Sequence, residues 1–140
     1  TADGKLAMAK DVADPALRPD DHTWSPLEYA AHVRDVFRIF GVRLDMMLTQ
    51  TDPLFDNWDQ DATAIAERYG EQDPAAVLAE LRDAGLALAR DFRAVPPTAR
   101  MRTGRRSDGS VFTVETLARY FIHDPVHHLV DVTGERFSPR

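Results

Sequence analysis

Residues Trp24 to Leu48, WSPLEYAAHVRDVFRIFGVRLDMML, read as one long amphipathic helix, and the fold class follows from them. Ser25 suits an N-cap, Pro26 the first helical position, and Glu28 completes a capping box three residues after the cap. Behind this start, Tyr29, Ala30, Val33, Phe37, Phe40, Leu44, Met47 and Leu48 recur at helical spacing. The pattern predicts a helix over about 26–49, ended by Thr51-Asp-Pro53.

Working outward, a loop carries Phe55 and Trp58, and a shorter helical pattern follows with Ala62, Ile65, Ala66 and Tyr69 before Gly70 stops it. Asp73-Pro74 repeats the cap-then-proline logic and starts a third helix. Its predicted stripe is Leu78, Leu81, Gly85, Leu88 and Phe92, and Val95-Pro-Pro97 closes it. Arg102 to Ser110 reads as a basic, turn-like segment with Asp108-Gly109 at its tip. A last helix is predicted from about Thr113 to Val132, and residues 5–12 fit the end of a first one. No internal repeat or sustained alternating pattern is present. The expectation is an all-α bundle in a single domain, 1–140.

Composition narrows the function. A net charge of −6 with arginines scattered among acids argues against a nucleic-acid groove. No apolar run approaches the ~18 residues of a membrane span. No secretory signal is visible, so a cytoplasmic protein is expected. The chain has no cysteine, which leaves any metal to His, Asp or Glu and any thiol chemistry to a thiol brought in by a ligand.

Three of the five histidines fall in Phe121-Ile-His-Asp-Pro-Val-His-His-Leu-Val-Asp131. On a continuous helix His123 and His127 share a face one turn apart, a spacing that lets two imidazoles reach one ion. His32 falls on the flank of the long helix's apolar stripe, where ligands project into a bundle's clefts. Pro125 is expected to kink the last helix, or Asp124-Pro125 to start it anew. On an ideal helix His128 joins the stripe of Val114, Leu117, Phe121 and Val132, so periodicity leaves His127 and His128 as alternatives. His22 reads as a solvent-facing loop residue. Trp24, Phe55 and Trp58 read as core or loop anchors rather than groups that stack on a ligand.

Trp24-Ser-Pro-Leu-Glu28-Tyr-Ala-Ala-His32-Val-Arg-Asp35 and His123-Asp124-Pro-Val-His127 together resemble the DinB-like superfamily, which includes the mycothiol-dependent maleylpyruvate isomerase domains. Gly104-Arg-Arg-Ser-Asp-Gly109-Ser-Val-Phe-Thr113 is similar to the loop that leads into that family's last helix. The resemblance implies a four-helix bundle, here with its first helix short or truncated and one extra short helix. It also implies a divalent metal, zinc or nickel, held by His32, His123 and His127. Characterised relatives use low-molecular-weight thiols such as mycothiol or bacillithiol. In the isomerase branch one ligand position is usually Glu where this chain has His123, which speaks against isomerase activity itself.

The leading expectation is therefore a metal-dependent enzyme of transferase type. It would activate a small-molecule thiol against an electrophilic substrate, with Arg105 and Arg106 as the nearest candidates to hold the thiol's polar groups. A metal-dependent hydrolase and a non-enzymatic, metal-stabilised stress or interaction module are the alternatives. The reading also leaves room for a homodimer.

Overall fold

The computed structural model describes residues 14–122. The expected N-terminal helix remnant at 5–12, His123, His127, His128 and the last helix beyond 122 lie outside the described residues.

Helix α1 (Pro26–Thr49) begins as expected: the Ser25 hydroxyl accepts from the Glu28 N–H and the Glu28 carboxylate accepts from the Ser25 N–H, both at 3.1 Å. These bonds satisfy two of the donors that a helix start leaves open. Arg18 closes on the same carboxylate with two bonds, Nε at 2.7 Å and Nη2 at 2.5 Å, so Glu28 is buried yet fully paired. This partner holds the Glu28 pKa below its usual value, against the opposing effect of burial. The buried stripe is Ala30, Val33, Phe37, Phe40, Leu44 and Met47. At the other end Arg102 caps the helix, its Nε donating to the Met47 carbonyl at 2.6 Å and its Nη2 to the Gln50 carbonyl at 3.0 Å. A cation there also meets the negative end of the helix dipole.

Helix α2 (Gln60–Ala66) is capped by Asp59, whose carboxylate accepts from Asp61 and Ala62 N–H at 3.0 Å. Its buried residue is Ala64, while Ile65, expected on the inner stripe, is 80% exposed. A seven-residue helix settles on the core wherever its flanking anchors hold it. Here the anchor is Tyr69, fully buried in the 3₁₀ turn Tyr69–Glu71, with its hydroxyl donating to Asp35 of α1. Burial first, and the Asp35 carboxylate second, push the Tyr69 pKa up.

Helix α3 (Pro74–Ala94) packs along α1 through Val77, Leu81 and Leu88. The inner stripe starts one residue earlier than predicted: Val77 is buried and Leu78 is 51% exposed. Gly85 lies under Phe37, where a Cβ would come within 3.0 Å of the ring. Beside this seam Arg34, itself buried, bonds to Asp35 at 3.0 Å, Gln72 at 2.8 Å and Glu80 at 3.1 Å, tying α1 to α3 and to the turn between α2 and α3.

The predicted turn at 102–110 is a β-hairpin, an addition to the all-α expectation. Strands β1 (Thr103–Arg105) and β2 (Val111–Thr113) pair antiparallel with Gly104 opposite Phe112. Three-residue strands are too short to leave a period in the sequence. The tip is as expected, with Gly109 at φ +91. The loop after α1 joins β1: Arg105 N–H donates to the Pro53 carbonyl at 2.8 Å, and Phe55 N–H to the Arg105 carbonyl at 2.7 Å. Thr113 then caps a helical segment, 114–122 (α4), whose Phe121 meets Phe37 edge-on at 5.1 Å and stacks on Phe92 at 5.6 Å. No helix among the described residues is long and apolar enough to cross a membrane.

Candidate functional site

One cleft of about 360 Å³ opens beside His32, within the usual size range for small-molecule sites. One wall is the flank of α1, with His32, Val36, Ile39, Phe40 and Arg43 in line. Arg43 is three turns from His32, and eleven steps of about 100° return to nearly the same face. Opposite stand Phe112, Leu117 and Tyr120, and the segment Phe55 to Gln60 with Arg106 closes the rim.

His32 is 8% exposed and set among aromatic rings. Trp58 stacks on its imidazole at 5.5 Å and 6°, and Trp24 tilts against it at 5.1 Å. Trp58 is fixed in turn by its indole N–H, which donates to Thr63 of α2 at 2.8 Å. The short helix thus serves to orient the ring that orients His32. These two tryptophans, expected as packing anchors, are the frame of the site.

Phe55 is 3% exposed and lies on Gly104, where the absence of a side chain makes room for its ring. The Arg43 guanidinium sits over the Phe55 face at 5.1 Å, a cation–π contact. Its Nη2 also donates to the Asp56 carbonyl at 3.4 Å. Burial, and then repulsion from Arg106, hold the Arg43 pKa below its usual value.

The two arginines named from the sequence part company. Arg106 lines the cleft with His32. Arg105 points to the loop after α1, where its Nε donates to Asp52 at 2.6 Å and the Thr103 hydroxyl bonds the same carboxylate at 2.8 Å. Arg105 ends β1 and is held outward by Asp52, whereas Arg106 is the first residue beyond the strand and turns to the cleft. Arg43 was missed by sequence reasoning, although its spacing from His32 along one helix face was a usable signal.

Among the described residues no three His, Asp or Glu side chains form a group able to hold a metal. Of the three expected ligands His32 alone can be located. Its chemistry suits such an ion: a buried imidazole, oriented by packing, in a chain with no thiolate to compete for it. His22 is exposed in the loop before α1, away from the cleft's lining.

Among solved structures the chain is similar to YfiT from Bacillus subtilis, described as a probable metal-dependent hydrolase with an unusual four-helix bundle topology. The likeness has a TM-score of 0.76 at 20% identity and covers 91% of this chain and 77% of that one. It is a likeness of fold, and the four-helix bundle expected from the sequence is borne out by it. No curated protein matches the chain. The family model of the DinB superfamily matches residues 7–131, from before α1 to past His128. The chain therefore belongs to the DinB superfamily.

Proposed function

We propose that the protein is a metal-dependent enzyme acting on a small molecule in the cleft beside His32, with His32, His123 and His127 as the ligands. One observation carries the reading: the buried His32 imidazole, stacked on Trp58, lies in the wall of a cleft of about 360 Å³. A divalent ion held there supplies Lewis acidity, making a thiol or a water a competent nucleophile near neutral pH. The chain's own residues do the rest. Trp58 and Trp24 hold the His32 ring plane, so a ligand nitrogen needs little reorganisation. Phe40, Phe112 and Tyr120 exclude water from one side of the cleft, and Arg106 is placed to meet a polar substituent at the rim.

The finer reading is transfer of an activated low-molecular-weight thiol onto an electrophilic substrate, since an all-imidazole set leaves the ion its full charge and favours an anionic fourth partner. A hydrolytic reading is second. It gains from Asp56 and Asp59, which line the same cleft, although the Asp59 carboxylate is engaged as the cap of α2. YfiT, described as a probable metal-dependent hydrolase, also lends it support.

The test begins with metal analysis of protein purified without an affinity tag. We expect one ion per chain, lost in His32→Ala, His123→Ala and His127→Ala and kept in His22→Ala. Full stoichiometry in His32→Ala would overturn the assignment. Cobalt-loaded protein titrated with mycothiol and bacillithiol should then develop a sulfur-to-metal charge-transfer band. A spectrum unchanged by either thiol would transfer the proposal to hydrolysis.

A further inference from the structure

Two guanidinium groups, from Arg43 on α1 and Arg106 at the hairpin, line the same cleft. Among the described residues neither makes an ion pair, whereas Arg34, whose side chain is well buried, is paired to Asp35 and Glu80. Arg43 is half-buried, and among the described residues its guanidinium contacts a ring face and a backbone carbonyl. The charge that most perturbs it is another cation, Arg106, which pushes its pKa down alongside burial. The acids of the cleft do not relieve this. The Asp59 carboxylate is engaged by α2, and Asp56 meets Arg43 through its carbonyl oxygen.

Among the described residues Arg106 feels the Asp108 carboxylate electrostatically but neither guanidinium is ion-paired, so an oxyanion between them would offset their repulsion with charge-assisted hydrogen bonds. Beside them Phe40, Phe112 and Tyr120 offer apolar surface, with Tyr120 and Phe40 ring centroids 5.8 Å apart. We infer that this cleft binds a small amphiphilic anion, its carboxylate or phosphate held between Arg43 and Arg106 and its aromatic or alkyl body against Phe40, Phe112 and Tyr120. The inference goes beyond the metal reading and depends on no ion, since both cations and the apolar wall belong to the chain itself. It also gives the cleft a selectivity: a neutral or cationic molecule of the same shape gains no charge-assisted hydrogen bond from either arginine.

The experiment titrates the metal-free protein with benzoate, phenyl phosphate, benzamide and inorganic phosphate at low salt, read by calorimetry and by intrinsic tryptophan fluorescence. Benzoate and phenyl phosphate should bind, and benzamide at least about tenfold more weakly, the worth of one charge-assisted hydrogen bond. Comparing benzoate with phenyl phosphate tells which oxyanion the pair prefers. Arg43→Gln and Arg106→Gln should each weaken benzoate by about tenfold, while Arg105→Gln, which loses only its bond to Asp52, leaves it unchanged. The exposed Arg106 guards against a mere folding defect, and circular dichroism checks Arg43→Gln. Equal binding of benzamide and benzoate, or indifference to both substitutions, overturns the inference. Inorganic phosphate binding as tightly as phenyl phosphate removes the apolar half of it. Binding that survives in His32→Ala but fails in Arg106→Gln supports the anion site whatever becomes of the metal. Binding seen only after metal loading makes the anion a metal ligand and overturns the arginine site.

Discussion

Replacing Gly104 by alanine separates two opposite expectations. The Gly104 backbone lies outside the left-handed region, so a strand alanine costs no strain there. On chain entropy alone Gly104→Ala should stabilise by about 0.4–1 kcal/mol. The packing says otherwise. The new Cβ would stand 2.3 Å from Phe55 Cζ, 2.8 Å from its Cε1 and 2.9 Å from Met47 Cγ. Carbon atoms rest at about 3.5–4.0 Å, so the ring must retreat by more than about 1 Å. Both neighbours are buried, Met47 completely, and Phe55 also carries Arg43 on its face. Overpacking of this kind costs about 1–3 kcal/mol. The net expectation is a loss of roughly 1–2 kcal/mol, or about 3–8 °C in Tm for a chain of this size. Urea denaturation and thermal melts read it directly. In Gly104→Ala/Phe55→Leu the clashing ring is gone, so the alanine should cost less than it does beside Phe55, with a coupling of about 1 kcal/mol. A rise in Tm for Gly104→Ala, or strictly additive effects in the double variant, would refute the placing of Phe55 on the hairpin, and with it the construction of the cleft rim.

Glu28, with its pKa lowered first by the Arg18 bond, contributes stability that is present above the usual value of 4.5 and lost as pH falls through its folded value. Urea midpoints should therefore fall more steeply on acidification for the wild type than for Glu28→Gln, and parallel acid limbs would contradict the pairing. Arg102→Met should cost about 1–2 kcal/mol by freeing the Met47 and Gln50 carbonyls, and hydrogen exchange should show fraying confined to the end of α1. Phe40→Ala should cost about 3 kcal/mol, the lower end for a buried ring, because one side already faces the cleft; chemical denaturation checks it.

Local chemistry made α1 legible. Ser25, Pro26 and Glu28 act within one turn of each other, and the stripe from Ala30 to Met47 needs only the helical period to be read. The same holds for Asp73-Pro74 at the start of α3 and for Asp108-Gly109 at the hairpin tip, where short-range bonding and φ preferences decide the outcome. The flank position of His32 was legible as well, since it follows from the phase of its own helix.

Contacts between segments far apart in the chain were decided by tertiary structure alone. That Phe55 rests on Gly104 depends on a bond between the loop after α1 and β1, some fifty residues apart in sequence. The hairpin gains its strands from that pairing, three residues each being too few for a pattern. Whether Ile65 or Ala64 turns inward, and whether Leu78 or Val77 does, rested on where Tyr69 and α1 receive those helices. Both choices satisfy the helical period to within one residue. Trp58 became the ring that holds His32, and Arg106 rather than Arg105 reached the cleft, because hydrogen bonds to Thr63 and from Arg105 to Asp52 fix where Trp58 and Arg105 point. Spacing along a chain carries the direction of a side chain only within a continuous helix or strand. Between elements that direction is set by packing, and packing belongs to the folded molecule.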